Sequence, residues 1–110
     1  DWCHVEDNCD AIDLVLRTGE PGAVYNVGAG NELSNLELVD QLLGLCGADP
    51  SLVEMVEDRP GHDRRYSVDT ARVRGLGWIP TWGLDDGLAA TVDWYRNNRW
   101  WWEPLRGRDQ

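Results

Sequence analysis

Apolar residues recur at helical spacing in three places along this chain, and two short β-rich stretches lie among them. The first helical pattern follows Glu6-Asp7, where Asp7 is the expected N-cap. Gly19 and Pro21 are expected to end this helix, because neither residue favours its continuation. The apolar face is expected to contain Ala11, Leu14, Val15 and, at its periphery, Ile12.

The second helical pattern opens with a capping box. Ser34-Asn35-Leu36-Glu37 has the S-x-x-E form, in which the two end side chains bind backbone N–H groups, so a helix is predicted to begin near Asn35. Gly47 and Pro50 are expected to end it. Its apolar face is expected to contain Leu36, Val39, Leu42, Leu43 and Cys46.

Residues 23–27 and 52–57 are predicted to be strands, because both are short and rich in β-favouring residues. A short helix is predicted from about Thr70, closed by residues 76–80, and a last helix from Leu84 to about Arg96. The apolar stripe of the last helix is Leu84, Leu88, Val92 and Tyr95. Two strands do not form a self-sufficient sheet, and the chain does not begin with methionine, so we expect it to be part of a larger protein.

Composition is that of a single globular domain: 110 residues, 42% hydrophobic and 27% charged. The net charge is −10, and arginine supplies all the positive side chains. This charge argues against nucleic acid and anionic membranes as partners, since both need a basic surface. No apolar run approaches the length of a membrane span, and the first residues lack the pattern of a signal peptide.

The cysteines Cys3, Cys9 and Cys46 are odd in number and have no C-x-x-C spacing. This usage predicts reduced thiols and a cytoplasmic location. Cys3 and Cys9 lie near His4 and Asp7 in sequence, but the spacing matches no zinc signature, so no metal site is expected.

One loop is the strongest candidate for ligand binding: Asp58-Arg-Pro-Gly-His-Asp-Arg-Arg-Tyr66, which carries three of the ten arginines. Pro60-Gly61 predicts a turn within it. Guanidinium groups suit phosphate and carboxylate, so a basic loop on an acidic chain indicates a small anionic ligand. The alternative is a solvated charge network, in which the arginines pair with Asp58, Asp63 and Asp69. The residues alone leave both interpretations open.

No catalytic constellation is evident. Gly28 and Gly30 precede the second helix, but Leu33 stands where a dinucleotide-binding fingerprint needs a third glycine, so a tight turn is favoured. A Tyr-x-x-x-Lys pair is impossible, because the chain has no lysine. Trp78 and Trp94 are expected in the core or at an interface.

Residues 58–66 resemble the signature loop of the dTDP-glucose 4,6-dehydratases, within the extended short-chain dehydrogenase/reductase family. Further stretches resemble motifs of that family in the same order. They are Asp1-Trp2 with Val5-Glu6-Asp7, Tyr25-Asn-Val-Gly28 with Asn31-Glu32 and Asn35-Leu36, Leu76-Gly-Trp-x-Pro80, and Thr91-Val-x-Trp-Tyr95. Departures from the pattern occur at Cys3, His4 and Asn8.

The resemblance implies an α/β fold in which residues 1–110 form the C-terminal substrate-binding portion, with helices and a few short strands. The Rossmann-like NAD-binding domain would lie outside this chain. The complete enzyme would oxidise C4 of dTDP-glucose with NAD, eliminate water across C5–C6 and return the hydride to C6. It would be a homodimer. Two alternatives stay open: another epimerase or dehydratase of nucleoside diphosphate sugars, and a non-catalytic nucleotide-binding or interaction module.

The same resemblance implies which residues bind the dTDP-sugar. They are Asn35, at the start of the second helix, and the loop residues Asp58, Arg59, Pro60, Gly61 and His62. Arg59 would contact the diphosphate and His62 the nucleoside, while Arg64 and Arg65 would brace the loop. No residue is assigned to catalysis, to a cofactor or to a metal.

Overall fold

The computed structural model describes residues 1–106, and this part of the chain consists of helices joined by loops and extended segments. Its α-helices are α1 Val5–Thr18, α2 Asn35–Cys46, α3 Ala71–Gly75, α4 Leu84–Asn97 and α5 Arg99–Trp102. Single 3-10 turns lie at Pro50–Leu52 and Glu103–Leu105. Within the described residues, no helix has the length and apolar character needed to cross a membrane.

Helix α1 begins earlier than the sequence predicted. His4 is its N-cap, and the His4 Nδ1 atom accepts a hydrogen bond from the Glu6 N–H at 3.3 Å. The prediction of Asp7 as N-cap is therefore wrong, because the Asp7 carboxylate is buried and bound to a distant segment. The predicted end of the helix is confirmed, since Gly19 closes it by donating to the Val15 carbonyl at 2.8 Å.

The core forms where α1 meets α3 and the turn that follows α3. Ala11 and Val73 have no exposed surface, and Trp78 retains 4%. The predicted apolar face of α1 is confirmed, with Leu14 and Val15 packed against this cluster. Cys3, Tyr25 and Val27 also pack there. The Trp78 indole donates to the Asp7 carbonyl at 3.0 Å, which satisfies its buried N–H.

Helix α2 has the capping box that the sequence predicted. Ser34 Oγ accepts from the Glu37 N–H at 3.3 Å, and Glu37 Oε2 accepts from the Ser34 N–H at 2.8 Å. Gly47 ends the helix with a left-handed φ of 62°. The predicted apolar face is partly wrong, because Leu38 is the buried position while Leu36 is 56% exposed.

Helix α2 packs against α4, and this contact decides which side of α2 is buried. Val92 is the buried apolar side chain of α4. Arg96, near the end of α4, donates to the Leu45 carbonyl at 2.9 Å and so joins the two helices at their C-terminal ends. The predicted bounds of α4 hold to within one residue. The predicted start of α3 near Thr70 is confirmed, with Thr70 as its N-cap.

Neither predicted strand forms within residues 1–106. Residues 23–27 and 52–57 enter no strand pairing, and Leu52 belongs to a 3-10 turn. The single bridge among the described residues joins Trp2 to Asn31. A strand needs a neighbour to receive its backbone hydrogen bonds, and no described segment pairs with either stretch. The strand predictions are therefore wrong for this part of the chain, although both stretches have suitable composition.

Candidate functional site

The candidate loop, residues 58–66, is organised by a tight turn. The His62 N–H donates to the Arg59 carbonyl at 3.2 Å, across Pro60 and Gly61. Gly61 has a φ of +73°, which only glycine adopts without strain. Proline followed by a glycine of positive φ is the pattern of a type II turn. The turn explains why these two residue types stand here, and it sets Arg59 and His62 at its two ends.

Asp58 connects both ends of this turn. Its Oδ1 atom accepts from the Arg59 N–H at 2.9 Å and lies 2.6 Å from His62 Nδ1. The His62 side chain, and then the Arg59 N–H, lower the pKa of the Asp58 carboxyl. Because Nδ1 is engaged by Asp58, Nε2 is the ring nitrogen of His62 that remains for a ligand.

The arginines of the loop differ in their partners. Arg65 Nε donates to Glu32 Oε2 at 2.8 Å, so the prediction that Arg65 braces the loop is confirmed. Among residues 1–106, the guanidinium groups of Arg59 and Arg64 form no ion pair or hydrogen bond. Arg59 is therefore available for an anion, and the predicted bracing by Arg64 is not seen.

The alternative of an arginine–aspartate network is wrong for the described residues, because each aspartate has another partner. Asp58 binds His62. Asp63 accepts from the Tyr66 hydroxyl at 2.8 Å. Asp69 accepts from the Ala71 N–H at 2.8 Å, at the start of α3.

Glu32 belongs to one of the motifs that resemble the family, but the sequence assigned it no role. In addition to Arg65, it accepts a hydrogen bond from Ser67 Oγ at 2.7 Å. Ser67 and Arg65 together lower the pKa of the Glu32 carboxyl. These partners lie 33 and 35 residues away in sequence, so no local pattern could have revealed them.

Asn35 is the first residue of α2 and is exposed. It follows Glu32 by three positions, so the contact between Glu32 and Arg65 brings the start of α2 and the candidate loop into one region. This contact connects the segment before α2 with the C-terminal end of the loop, across 33 residues of sequence.

The loop does not enclose a ligand by itself. Every residue from 51 to 69 is exposed. A cavity of about 620 Å³ lies between the start of α1, α2 and α4, and one of about 270 Å³ lies beside α3. Neither is lined by Asn35 or by residues 58–62. A ligand held by Arg59 and His62 therefore needs a further wall from outside the described residues.

The glycine turn before α2 does not fit a dinucleotide. The Gly30 N–H, which would have to face a pyrophosphate, donates to Asp1 Oδ1 at 2.8 Å. Gly28 is buried, and a Cβ placed on it would collide with the Asp1 carboxylate. The turn is thus filled by the chain's own acidic side chain, in agreement with the interpretation of a tight structural turn.

The sequence profile of the GDP-mannose 4,6 dehydratase family matches residues 1–91. The chain belongs to this family. A dTDP-glucose 4,6-dehydratase from Streptomyces niveus is 54% identical over 110 residues, which cover 99% of this chain and 33% of that protein.

Two solved structures of the family superpose closely on the chain. DesIV, a dTDP-glucose 4,6-dehydratase from Streptomyces venezuelae with NAD bound, gives a TM-score of 0.90 at 51% identity and covers 96% of this chain and 33% of its own. The dTDP-glucose 4,6-dehydratase from Bacillus anthracis in complex with NAD gives 0.87 at 44% identity, covering 96% and 34%.

The chain therefore spans about a third of the length of its relatives, and it aligns with their C-terminal part. The resemblance to dTDP-glucose 4,6-dehydratases and the assignment to the extended short-chain dehydrogenase fold are both confirmed. The unpaired stretches 23–27 and 53–57 are in keeping with a chain that holds only part of this fold.

Proposed function

We propose that this chain is the C-terminal nucleotide-sugar-binding portion of a dTDP-glucose 4,6-dehydratase. Such an enzyme converts dTDP-glucose to dTDP-4-keto-6-deoxyglucose in deoxysugar biosynthesis. The observation that carries the proposal is the Arg59 guanidinium: it lies at one end of a built turn and has no partner among residues 1–106, whereas Arg65 is bound to Glu32.

The proposed contacts follow from the chemistry of each group. Arg59 forms a bidentate, charge-assisted pair with the diphosphate. His62 offers Nε2 to the nucleoside, because Asp58 holds its other nitrogen. Asn35 and the free N–H groups of the first turn of α2 supply further donors to the nucleotide. Pro60 and Gly61 shape the turn that carries Arg59 and His62.

In this proposal residues 1–110 bind substrate, and the chemistry takes place on groups supplied by the rest of the enzyme. The cofactor NAD is bound by the N-terminal domain outside this chain, since the glycine turn at residues 28–30 is filled by Asp1. We further propose that the complete enzyme is a homodimer in the cytoplasm. The free thiols of Cys3, Cys9 and Cys46 support a reducing compartment.

The proposal is tested by binding and by activity. In the full-length enzyme, dTDP is expected to bind more tightly than UDP, CDP or GDP when each is titrated by calorimetry. Arg59→Ala should weaken dTDP binding by about ten- to a hundredfold, because a hydrogen bond to a charged group contributes roughly 1.5–3 kcal/mol. Arg17→Ala, which removes an exposed arginine of α1, is the control.

Unchanged dTDP affinity in the Arg59→Ala variant would refute the phosphate contact. If GDP binds more tightly than dTDP, the substrate is a different nucleoside diphosphate sugar. The isolated chain supplied with NAD and dTDP-glucose should yield no 4-keto sugar. Formation of that sugar would contradict the proposal that this chain binds substrate while the rest of the enzyme performs the chemistry. A full-length protein that binds none of the four nucleotides would instead support an interaction module.

A further inference from the structure

Glu32 lies on a segment whose backbone is fixed on both sides. Its neighbour Asn31 is bridged to Trp2, with the Trp2 N–H donating to the Asn31 carbonyl at 3.0 Å. The Trp2 indole donates to the Leu33 carbonyl at 3.1 Å. Ser34 then begins the capping box of α2. The Glu32 carboxylate is thus presented from a backbone that the helix start and Trp2 hold in place.

Both oxygens of this carboxylate are used by one partner segment. Oε2 accepts from the Arg65 guanidinium and Oε1 from the Ser67 hydroxyl. A planar guanidinium held through two of its nitrogens has a defined orientation, which a single contact would not impose. Because both oxygens accept hydrogen bonds from Arg65 and Ser67, we assign Glu32 to the loop and not to a ligand.

The side-chain hydrogen bonds of the remaining loop residues stay inside the loop. Asp58 binds Arg59 and His62, and Asp63 binds Tyr66. These contacts shape the turn, but they do not fix where it lies relative to α2. The pairs that Glu32 makes with Arg65 and Ser67 supply the side-chain connection. A backbone contact adds to it, because the Asp1 amino group donates to the Tyr66 carbonyl at 3.1 Å.

We propose that Glu32 is a positioning residue of the nucleotide site, whose carboxylate sets the placement of the Arg59–His62 turn relative to Asn35. The proposal rests on the proposed function, because it assumes that Asn35 and the turn contact the same nucleotide. A ligand that spans both parts needs them at a fixed separation. A group that holds ligand-binding side chains in place before the ligand arrives increases the binding affinity, because less order is then lost on binding.

The chain offers a closely matched control for this pair. Arg99 and Glu103 form another arginine–glutamate ion pair, with side chains 67% and 43% exposed, against 69% and 41% for Arg65 and Glu32. Glu103→Gln therefore removes a pair of nearly equal exposure that has no contact with the loop. Any general cost of losing an exposed ion pair should be the same in both variants.

In the full-length enzyme, Glu32→Gln should raise KM for dTDP-glucose about two- to fivefold, the range expected for an exposed charged pair. The kcat and the thermal midpoint should stay unchanged, since the chemistry and the fold do not depend on the pair. Glu103→Gln should alter neither KM nor kcat. Exchanging the charges in the double variant Glu32→Arg/Arg65→Glu should bring KM part of the way back to the wild-type value.

An unchanged KM in Glu32→Gln would overturn the proposal. A fall in the thermal midpoint large enough to account for the higher KM would also overturn it. Arg59→Ala measured alongside separates the two hypotheses. If Arg59→Ala weakens dTDP binding and Glu32→Gln does not, positioning by Glu32 fails and the binding site stands. If neither variant changes dTDP binding, the proposed function itself fails.

Discussion

The carboxylate of Asp7 binds Thr81, 74 residues further along the chain, through the Thr81 backbone N–H and hydroxyl, each at 2.8 Å. The second carboxylate oxygen accepts from the Trp82 N–H at 3.1 Å. Asp7 is only 1% exposed, so three neutral donors replace the water that its charge would otherwise bind. This contact fixes α1 against the segment that leads into α4.

Replacing Asp7 by asparagine should destabilise the protein. The amide keeps one accepting oxygen and turns its NH2 group toward a backbone donor, which leaves a buried donor unsatisfied. The expected loss is about 1.5–3 kcal/mol in the free energy of unfolding, measured by urea denaturation. Asp10→Asn, an exposed aspartate of the same helix, should change stability by less than about 0.5 kcal/mol. Equal stability of the two variants would refute the role of Asp7.

The same carboxylate should make stability depend on pH. Burial alone would raise the pKa of Asp7, but the hydrogen bonds from Thr81 and Trp82 outweigh it and hold the pKa below its ordinary value of 3.8. Because the folded pKa is the lower one, the stabilisation is fully present above the unfolded pKa. It is lost as the pH falls through the folded pKa.

The difference in unfolding free energy between the wild type and Asp7→Asn should therefore be constant above about pH 5 and shrink below it. Other carboxyls with lowered pKa values, such as Glu37 and Asp58, are present in both proteins and cancel in the difference. A difference that stays constant down to about pH 3 would contradict this linkage.

Two glycines three positions apart should respond to alanine in opposite ways. Gly44 lies inside α2 with open space around its Cβ position, so Gly44→Ala should stabilise the protein by about 0.5–1 kcal/mol. Gly47 has a φ of +62°, where a Cβ costs roughly 1–2 kcal/mol, so Gly47→Ala should destabilise it. Thermal midpoints that move in the same direction for both variants would refute this account of the helix end.

The features predicted correctly from the sequence are those that depend on near neighbours. The capping box at Ser34 and Glu37 closes over three residues, and the turn at Pro60-Gly61 over four. Both follow from residue chemistry at fixed short spacing. The ends of α1 and α2 at Gly19 and Gly47 belong to the same class.

The errors lie where a distant partner decides the outcome. Asp7 has the composition of an N-cap, but its carboxylate is taken by Thr81 and Trp82. Leu36 fits an apolar stripe by periodicity, yet the position of α4 buries Leu38 instead. For the binding site, the sequence identified the loop and Asn35, while the Glu32 link between them depends on a fold that periodicity does not encode.

The unpaired stretch at residues 53–57 combines exposed apolar side chains with two glutamates. Met55 and Val56 are 74% and 77% exposed there, in a β-favouring segment whose backbone enters no strand pairing among the described residues. Such an open edge is a template for pairing with a second copy. Glu54 and Glu57 flank these two apolar side chains and would bring like charges together in that pairing. They therefore act as gatekeepers, because repulsion between like charges opposes the pairing of this edge with a second copy.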